Sequence, residues 1–373
     1  MLGNSRISAE NAPDEWSGRS EFWLTKNTKL QRKRRVRERN SNPLILTGHG
    51  TVLRIEQGTL VIRQGFTHYP QQQECHRFFR GDLSLPRVIM LLDGSGSLSF
   101  DVLSWLNEQG VALARIEWSG NVAVFASGAG FMGDSSNLRR QYEIQGHELK
   151  RLEFARGLIA EKLKNSINTL QNEFVKSPSQ PLAISKAKNA IVRLGAGGFT
   201  EMNDIRAIEA VCAAAYFSVW SDIDMQWKAL GQYPVPETWR NGYRARSSVL
   251  TGKKANNWRA SHPINAMLNY AYAVRAAQLH IRCVVDGFDP YAGLMHHSFK
   301  DFPAYVYDLI EPERPKVDAL IIRFSQSQKF SGADFVLRKD GVCRLSPQLA
   351  RVVAQLCAKE FGGLDTPTLK LAG

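Results

Sequence analysis

Residues 263–285, PINAMLNYAYAVRAAQLHIRCVV, constrain the fold more than any other stretch of the chain. At the helical period, apolar side chains fall on nearly every side of this segment. A helix of that kind cannot lie on a surface; other elements must enclose it. Proline suits the first helical position, and Ser261 or His262 can cap it. Asn265 and Asn269 stand one turn apart within it, and burial obliges each to find a partner. No run of the roughly 18 uninterrupted apolar residues that a spanning helix needs occurs anywhere, so the enclosing medium is protein and no membrane partner is expected.

The rest of the chain divides by its periodicity. Residues 1–41 are polar, with a basic run over 26–39, and read as a disordered extension. From residue 42 the period becomes two, with short strands expected over 44–46, 51–55, 60–62, 88–92, 111–116 and 122–125 and a short helix over 99–107. The intervening DGSGS (residues 93–97) lacks the Lys-Ser/Thr ending of a phosphate loop and reads as a structural turn. Residues 65–86 show no clear element. After Gly133 the texture is helical, with amphipathic helices expected over 148–171, 184–194, 205–220, 263–285, 312–325 and 347–361. The predicted fold class is therefore α+β: a small N-terminal β-rich domain (42–133) followed by an all-α domain (134–373).

Charge and cysteine usage narrow the function classes. The formal net charge is +13, an excess that favours a polyanionic partner such as nucleic acid. Cys75, Cys212, Cys283, Cys343 and Cys357 are far apart and form no C-x-x-C, which fits reduced thiols in a cytoplasmic protein. The N-terminus has neither an apolar core nor a cleavage pattern of a secretory signal.

Two regions carry candidate chemistry. In DPYAGLMHHSFKDFPAYVYDLIEPERP (residues 289–315), His296 and His297 follow one apolar segment, and Asp308 follows another. Glu311 comes one helical turn after Asp308. An imidazole with one or two carboxylates suits a hard or borderline divalent cation, and an ordinary His–Asp pair is the alternative. Glu209 sits beside the apolar stripe of the helix over 205–220, where it needs either an ionic partner or a metal. The second region, 239–259, carries Arg240, Arg244, Arg246, Lys253, Lys254 and Arg259 without any acid. Trp239, Tyr243 and Trp258 are interleaved, a pattern suited to backbone phosphates and unstacked bases.

Several of these segments, in this order, resemble the CRISPR-associated integrase and endonuclease family called Cas-one. SHPINAMLNYAYAV, DPYAGLMHHSF and YVYDLIEPERPKVD resemble its C-terminal domain. FARGLIAEKLKNSINTL resembles its first long helix, and IRAIEAVCAAAYFSVW the helix bearing its first metal ligand. GSGSLSFDVLSWLNEQGVALARIEWSGN resembles the end of its N-terminal β domain. The resemblance implies Mg²⁺ or Mn²⁺ held by Glu209, His296 and Asp308, which are then the catalytic residues. Glu311, Asn265 and His297 are expected beside these ligands, and Arg244, Arg246, Lys253, Lys254 and Arg259 on DNA.

The implied reaction inserts spacer DNA into a CRISPR array, a DNA 3′-hydroxyl attacking a phosphodiester of the repeat. The implied partners are prespacer duplex, repeat and leader DNA, branched DNA, a second copy of the chain, and a Cas-two dimer that completes a heterohexamer. The alternatives are a transposon-borne integrase of the same fold and a catalytically silent DNA-binding scaffold.

Overall fold

The computed structural model describes residues 16–31, 37–67, 72–125, 135–174, 177–243, 260–296 and 302–362. The N-terminal half holds two four-stranded sheets. Its strands are β1 (Leu44–Thr47), β2 (Thr51–Glu56), β3 (Thr59–Arg63), β4 (Cys75–Phe78), β5 (Val88–Leu92), β6 (Gly96–Leu98), β7 (Ala112–Ile116) and β8 (Val122–Phe125). One sheet has the order β4-β3-β2-β6 and the other β1-β5-β7-β8. The helix α2 (Phe100–Glu108) buries Val102, Trp105 and Leu106 in a core that Leu46, Leu53, Leu60, Ile62 and Ile89 fill from both sheets.

Two of these strands escape the sequence pattern. β4, CHRF, buries only Phe78, and β6, GSL, is exposed throughout. Both are edge strands, held by backbone bonds to β3 and β2, so they need no apolar alternation. The DGSGS turn thus runs straight into β6. Its glycine at 96 is sterically required, because a Cβ there would sit 1.9 Å from the carbonyl oxygen of Thr51. Asp93, in the left-handed region at φ 44, accepts from Tyr270 Oη at 3.4 Å and lies 3.7 Å from Arg344. Those contacts add to an apolar core shared by the two halves, in which Met90, Leu92 and Ala114 lie with Tyr270, Ala271 and Leu349.

The helical half is built from α3 (Ser135–Gln145), α4 (Glu148–Glu173), α5 (Gln180–Ala196), α6 (Met202–Ser218), α7 (Glu237–Arg240), α8 (Pro263–Asp286), α9 (Ala304–Ile310), α10 (Arg314–Ser327) and α11 (Pro347–Glu360). α8 is the enclosed helix that its sequence demands: almost every residue from Pro263 to Leu279 is buried. His262 caps it, its Nδ1 accepting from the Ile264 amide at 3.2 Å, and Gly287 ends it in the left-handed conformation. Asn265 is buried and accepts from Tyr243 Oη at 2.7 Å, whereas Asn269 is only half-buried. The half is not wholly α. Two short pairs, Gln226–Trp227 with Lys329–Phe330 and Phe335–Leu337 with Cys343–Leu345, interrupt it.

The extension read as disordered is corrected over residues 16–30, which form a helix, α1 (Trp16–Leu30), docked against α11. Trp23 is fully buried. Arg19 gives Asp334 a two-pronged ion pair, Nε to Oδ1 at 2.9 Å and Nη2 to Oδ2 at 2.6 Å. Trp23 Nε1 donates to the same carboxylate at 2.7 Å. The residues that bury this helix, besides Trp23, are Arg19, Ser20 and Asn27. Polar residues of this kind read as a solvated segment in any hydropathy pattern. Among the described residues no helix is long and apolar enough to cross a membrane.

Removing Asp334 leaves Arg19 as a buried charge without its partner. Asp334→Ala is therefore expected to destabilise the protein by about 3–5 kcal/mol, and Trp23→Ala by a similar amount through its cavity. Thermal melts followed by tryptophan fluorescence read both. Unchanged melting in both variants would mean that α1 does not dock.

Candidate functional site

The segment leading to His296 is held from two sides. Its carbonyls are taken by side chains of three helices. Gln141 of α3 donates to Asp289 and Ala292 at 2.9 Å each, and Gln145 to Gly293 at 3.2 Å. Arg151 of α4 donates to Leu294 at 2.9 Å, and Arg206 of α6 to Met295 at 2.9 Å. Gly293 has no room for a side chain, since a Cβ would lie 2.5 Å from the His296 oxygen.

The amides on the other side all point at Asp308 of α9. Its Oδ2 accepts from the Leu294 and Met295 amides at 2.6 and 3.0 Å. Its Oδ1 accepts from the His296 amide at 2.9 Å and from His296 Nδ1 at 2.7 Å. Asp308 is fully buried, and these four N–H groups occupy the acceptor positions of an ionised carboxylate. The bond at Nδ1 places the ring proton there and leaves Nε2 with a lone pair, on a side chain that is about one-third exposed. Asp308 therefore orients His296, both of its oxygens being engaged by these N–H groups.

One turn further on, Glu311 faces a different neighbourhood. Glu311 belongs to a 3-10 turn, Glu311–Glu313, that leads into α10. Its Oε1 accepts from Arg314 Nε at 2.8 Å and its Oε2 from Lys162 Nζ at 2.5 Å. The same Lys162 ammonium, on α4, also bonds Glu209 Oε1 of α6. The structure thus brings Glu209 and Glu311 to one cation. Asn165 and Thr169, on the same face of α4 as Lys162, donate to the carbonyls of Pro312 and Pro315 at 2.8 Å each. They fix the start of α10 against α4. A cavity of about 50 Å³ opens beside this cluster, lined by Lys162, Glu209, Tyr216, Tyr272, Arg314 and Asp318.

The other expected residues fall elsewhere. Asn265 pairs with Tyr243 in the helical core. Trp239 and Tyr243 are buried, Trp239 donating to the Ser261 carbonyl at 2.8 Å, so they are core side chains and not platforms for bases. His297, Arg244, Arg246, Lys253, Lys254 and Arg259 lie outside the described residues. The residue that sequence reasoning passed over is Lys162. Its position one turn before Ser166 on a helix whose other face is apolar was the available signal, but a lysine there reads as solvated.

The chemistry of the donor set fits a divalent cation. Two carboxylates on separate elements converge on one positive charge, and the imidazole of His296 is held nearby by Asp308. Among the described residues, no three His, Cys, Asp or Glu side chains stand in ligating positions about a common point. The arrangement as it stands is a carboxylate pair bridged by an ammonium.

Glu311 also gives the site an acid signature. Burial alone would raise its pKa, but the charges of Arg314 and Lys162 and the Lys162 hydrogen bond bring it from 4.5 down to about 2. With the folded value below the unfolded one, its stabilisation is complete above about pH 4.5 and is lost as the pH falls toward 2.

Comparison with known proteins places this geometry in context. A family model described as "CRISPR associated protein Cas1" matches residues 44–359. "CRISPR-associated endonuclease Cas1 1" of Methanospirillum hungatei is 26% identical over 309 residues, covering 82% of this chain and 83% of its own. That of Archaeoglobus fulgidus is 24% identical over 335 residues, covering 87% and 89%. Among solved structures, a casposase bound to integration product superposes with a TM-score of 0.67 at 22% identity, over 85% of this chain and 82% of its own. A Cas1 protein from Thermotoga maritima superposes with a TM-score of 0.63 at 14% identity, over 86% and 91%. At these identities the structures speak for the fold. The docked α1 precedes the matched segment.

In the presence of a chelator, Glu311→Gln is expected to flatten the decline in melting temperature between about pH 4.5 and 2.5, a contribution of about 3 kcal/mol in the wild type. A variant whose acid limb matches the wild type would show that Glu311 does not carry it.

Proposed function

The chain belongs to the CRISPR-associated Cas1 family, and on that premise we propose that it is a divalent-metal-dependent DNA endonuclease and integrase. Its task is to insert spacer DNA into a CRISPR array, a DNA 3′-hydroxyl displacing the 3′-oxygen of a repeat phosphodiester. Spacer insertion forms one P–O bond and breaks another; water in place of the hydroxyl gives hydrolysis. The observation that carries this reading is the meeting of Glu209 and Glu311 at one cationic point, with Nε2 of His296 left free by Asp308.

On this reading Glu209, His296 and Glu311 hold Mg²⁺ or Mn²⁺, and Asp308 is the positioning residue. A bound divalent ion would polarise the scissile phosphate and favour ionisation of the attacking hydroxyl. Asp308 fixes the tautomer and the ring direction of His296, so that no reorganisation is needed when substrate arrives. Arg314 keeps Glu311 ionised and in place. The positive surface supplies the sequence-independent grip on the backbone.

The partners proposed are prespacer duplex, repeat and leader DNA, a second copy of the chain meeting it through the β-rich domain, and a Cas2 dimer, in the cytoplasm. The fold likeness to the casposase keeps a transposon-borne integrase as the second reading. A requirement for a CRISPR repeat in the target, tested against a repeat-free plasmid, separates the two.

Strand transfer of a short duplex into a repeat-bearing plasmid, with the Cas2 partner and Mn²⁺, tests the assignment. Glu209→Gln and Glu311→Gln are expected to lower joining by at least about 100-fold, with DNA affinity within a few fold of wild type. Both should also weaken Mn²⁺ binding, whereas Asp308→Asn should lower joining with a smaller effect on Mn²⁺. If Asp308→Asn abolishes Mn²⁺ binding and Glu311→Gln spares it, the ligand is Asp308. DNA binding without joining or nicking in any metal would favour the scaffold.

A further inference from the structure

We infer that Lys162 is a built-in stand-in for the metal: its ammonium holds the ion's place between Glu209 and Glu311, and the ion must displace it to bind. The inference rests on the metal-centre reading above and goes beyond it by naming what sets the affinity.

Three observations meet here. First, the Lys162 ammonium bonds one oxygen from each carboxylate, Glu209 Oε1 and Glu311 Oε2. A small divalent ion such as Mg²⁺ takes oxygen ligands at about 2.0–2.1 Å, and an ammonium already on the same pair excludes it, by volume and by like charge. Second, no group of three ligating side chains stands assembled among the described residues. An ammonium that spaces the carboxylates for its own bonds accounts for that. Third, the site is arranged to survive the exchange. Arg314 holds the other oxygen of Glu311, Oε1, and is itself stacked over Tyr272 at 5.1 Å. Behind it the buried Asp318 accepts from Tyr216 at 3.0 Å and from Tyr272. Glu311 therefore keeps its place when Oε2 is released.

Elementary electrostatics explains why such a device is needed. Two carboxylates brought together in a partly dry site repel each other, and one would take up a proton in the absence of a cation. Lysine suits the role: its compact charge sits on a flexible stem, and its side chain, 15% exposed, is within reach of water. Arginine, with a broad planar fork, could not retreat as readily.

The test measures Mn²⁺ binding to the full chain at fixed pH, by the electron paramagnetic resonance signal of the free ion. Melting temperature is followed with and without Mn²⁺. Wild type, Lys162→Met and Lys162→Gln are compared, with Glu209→Gln as the ligand-deficient control. Removing the competing ammonium is expected to tighten Mn²⁺ binding by about tenfold or more. It should also lower the melting temperature of the metal-free protein and enlarge the rise that Mn²⁺ produces. A variant that folds only when Mn²⁺ is supplied counts for the stand-in; one that fails to fold even with Mn²⁺ counts against it. Unchanged or weaker Mn²⁺ binding in both lysine variants, with wild type binding normally, would overturn the inference and leave the metal centre standing. Failure of wild type itself to bind Mn²⁺, or binding undiminished in Glu209→Gln, would overturn the metal-centre reading instead.

Discussion

The local structure of the site depends on one carboxylate that never meets solvent. Asp308 gathers three successive backbone amides, of Leu294, Met295 and His296, and the Nδ1 proton of His296. A buried carboxylate is tolerable only with such a full set of donors, and a bent backbone is tolerable only if its amides find acceptors. Each solves the problem of the other. The opposite edge of the same segment is pinned by Gln141, Gln145, Arg151 and Arg206, which take its carbonyls. His296 is thereby anchored by Asp308 through both its backbone amide and its Nδ1.

Helix α4 is the element on which the rest converges. Toward its N-terminus Arg151 holds the His296 segment, and Arg156 donates to the Leu194 carbonyl of α5 at 2.9 Å. In its middle Lys162 bridges Glu209 and Glu311, and one and two turns later Asn165 and Thr169 pin α10. Its apolar face, through Leu152, Ala155, Ile159 and Leu163, packs with Ile205, Ile208, Cys212 and Met295. One amphipathic helix thus sets the distance between carboxylates that come from sequence positions about a hundred residues apart. The β half is tied to this framework by a shared apolar core, in which Met90, Leu92 and Ala114 lie with Ala271 and Leu349, and by polar joints: Asp93 with Tyr270 and Arg344, and Arg351 with Glu74 at 3.0 and 3.2 Å.

The sequence by itself determined the larger design. Period two before Phe125 and period 3.6 after residue 135 gave the two halves, because apolar spacing is a local property that any packing must respect. The enclosure of α8 followed from its composition, and the helices carrying Glu209 and Lys162 were legible for the same reason. The order of motifs was enough to suggest the family, which the matched segment 44–359 then bore out. What the tertiary structure alone decided is which polar groups meet. Arg19 and Asp334 lie 315 positions apart, and Lys162 and Glu311 149 apart. No periodicity links such pairs, and a lysine or arginine reads as solvated until its partner is seen. Asp308 and Glu311 make the point most sharply: one turn apart, both carboxylates, and indistinguishable by local pattern. Only the folded chain turns one toward backbone amides and the other toward a cation, because hydrogen-bond direction is set by what the neighbouring elements present.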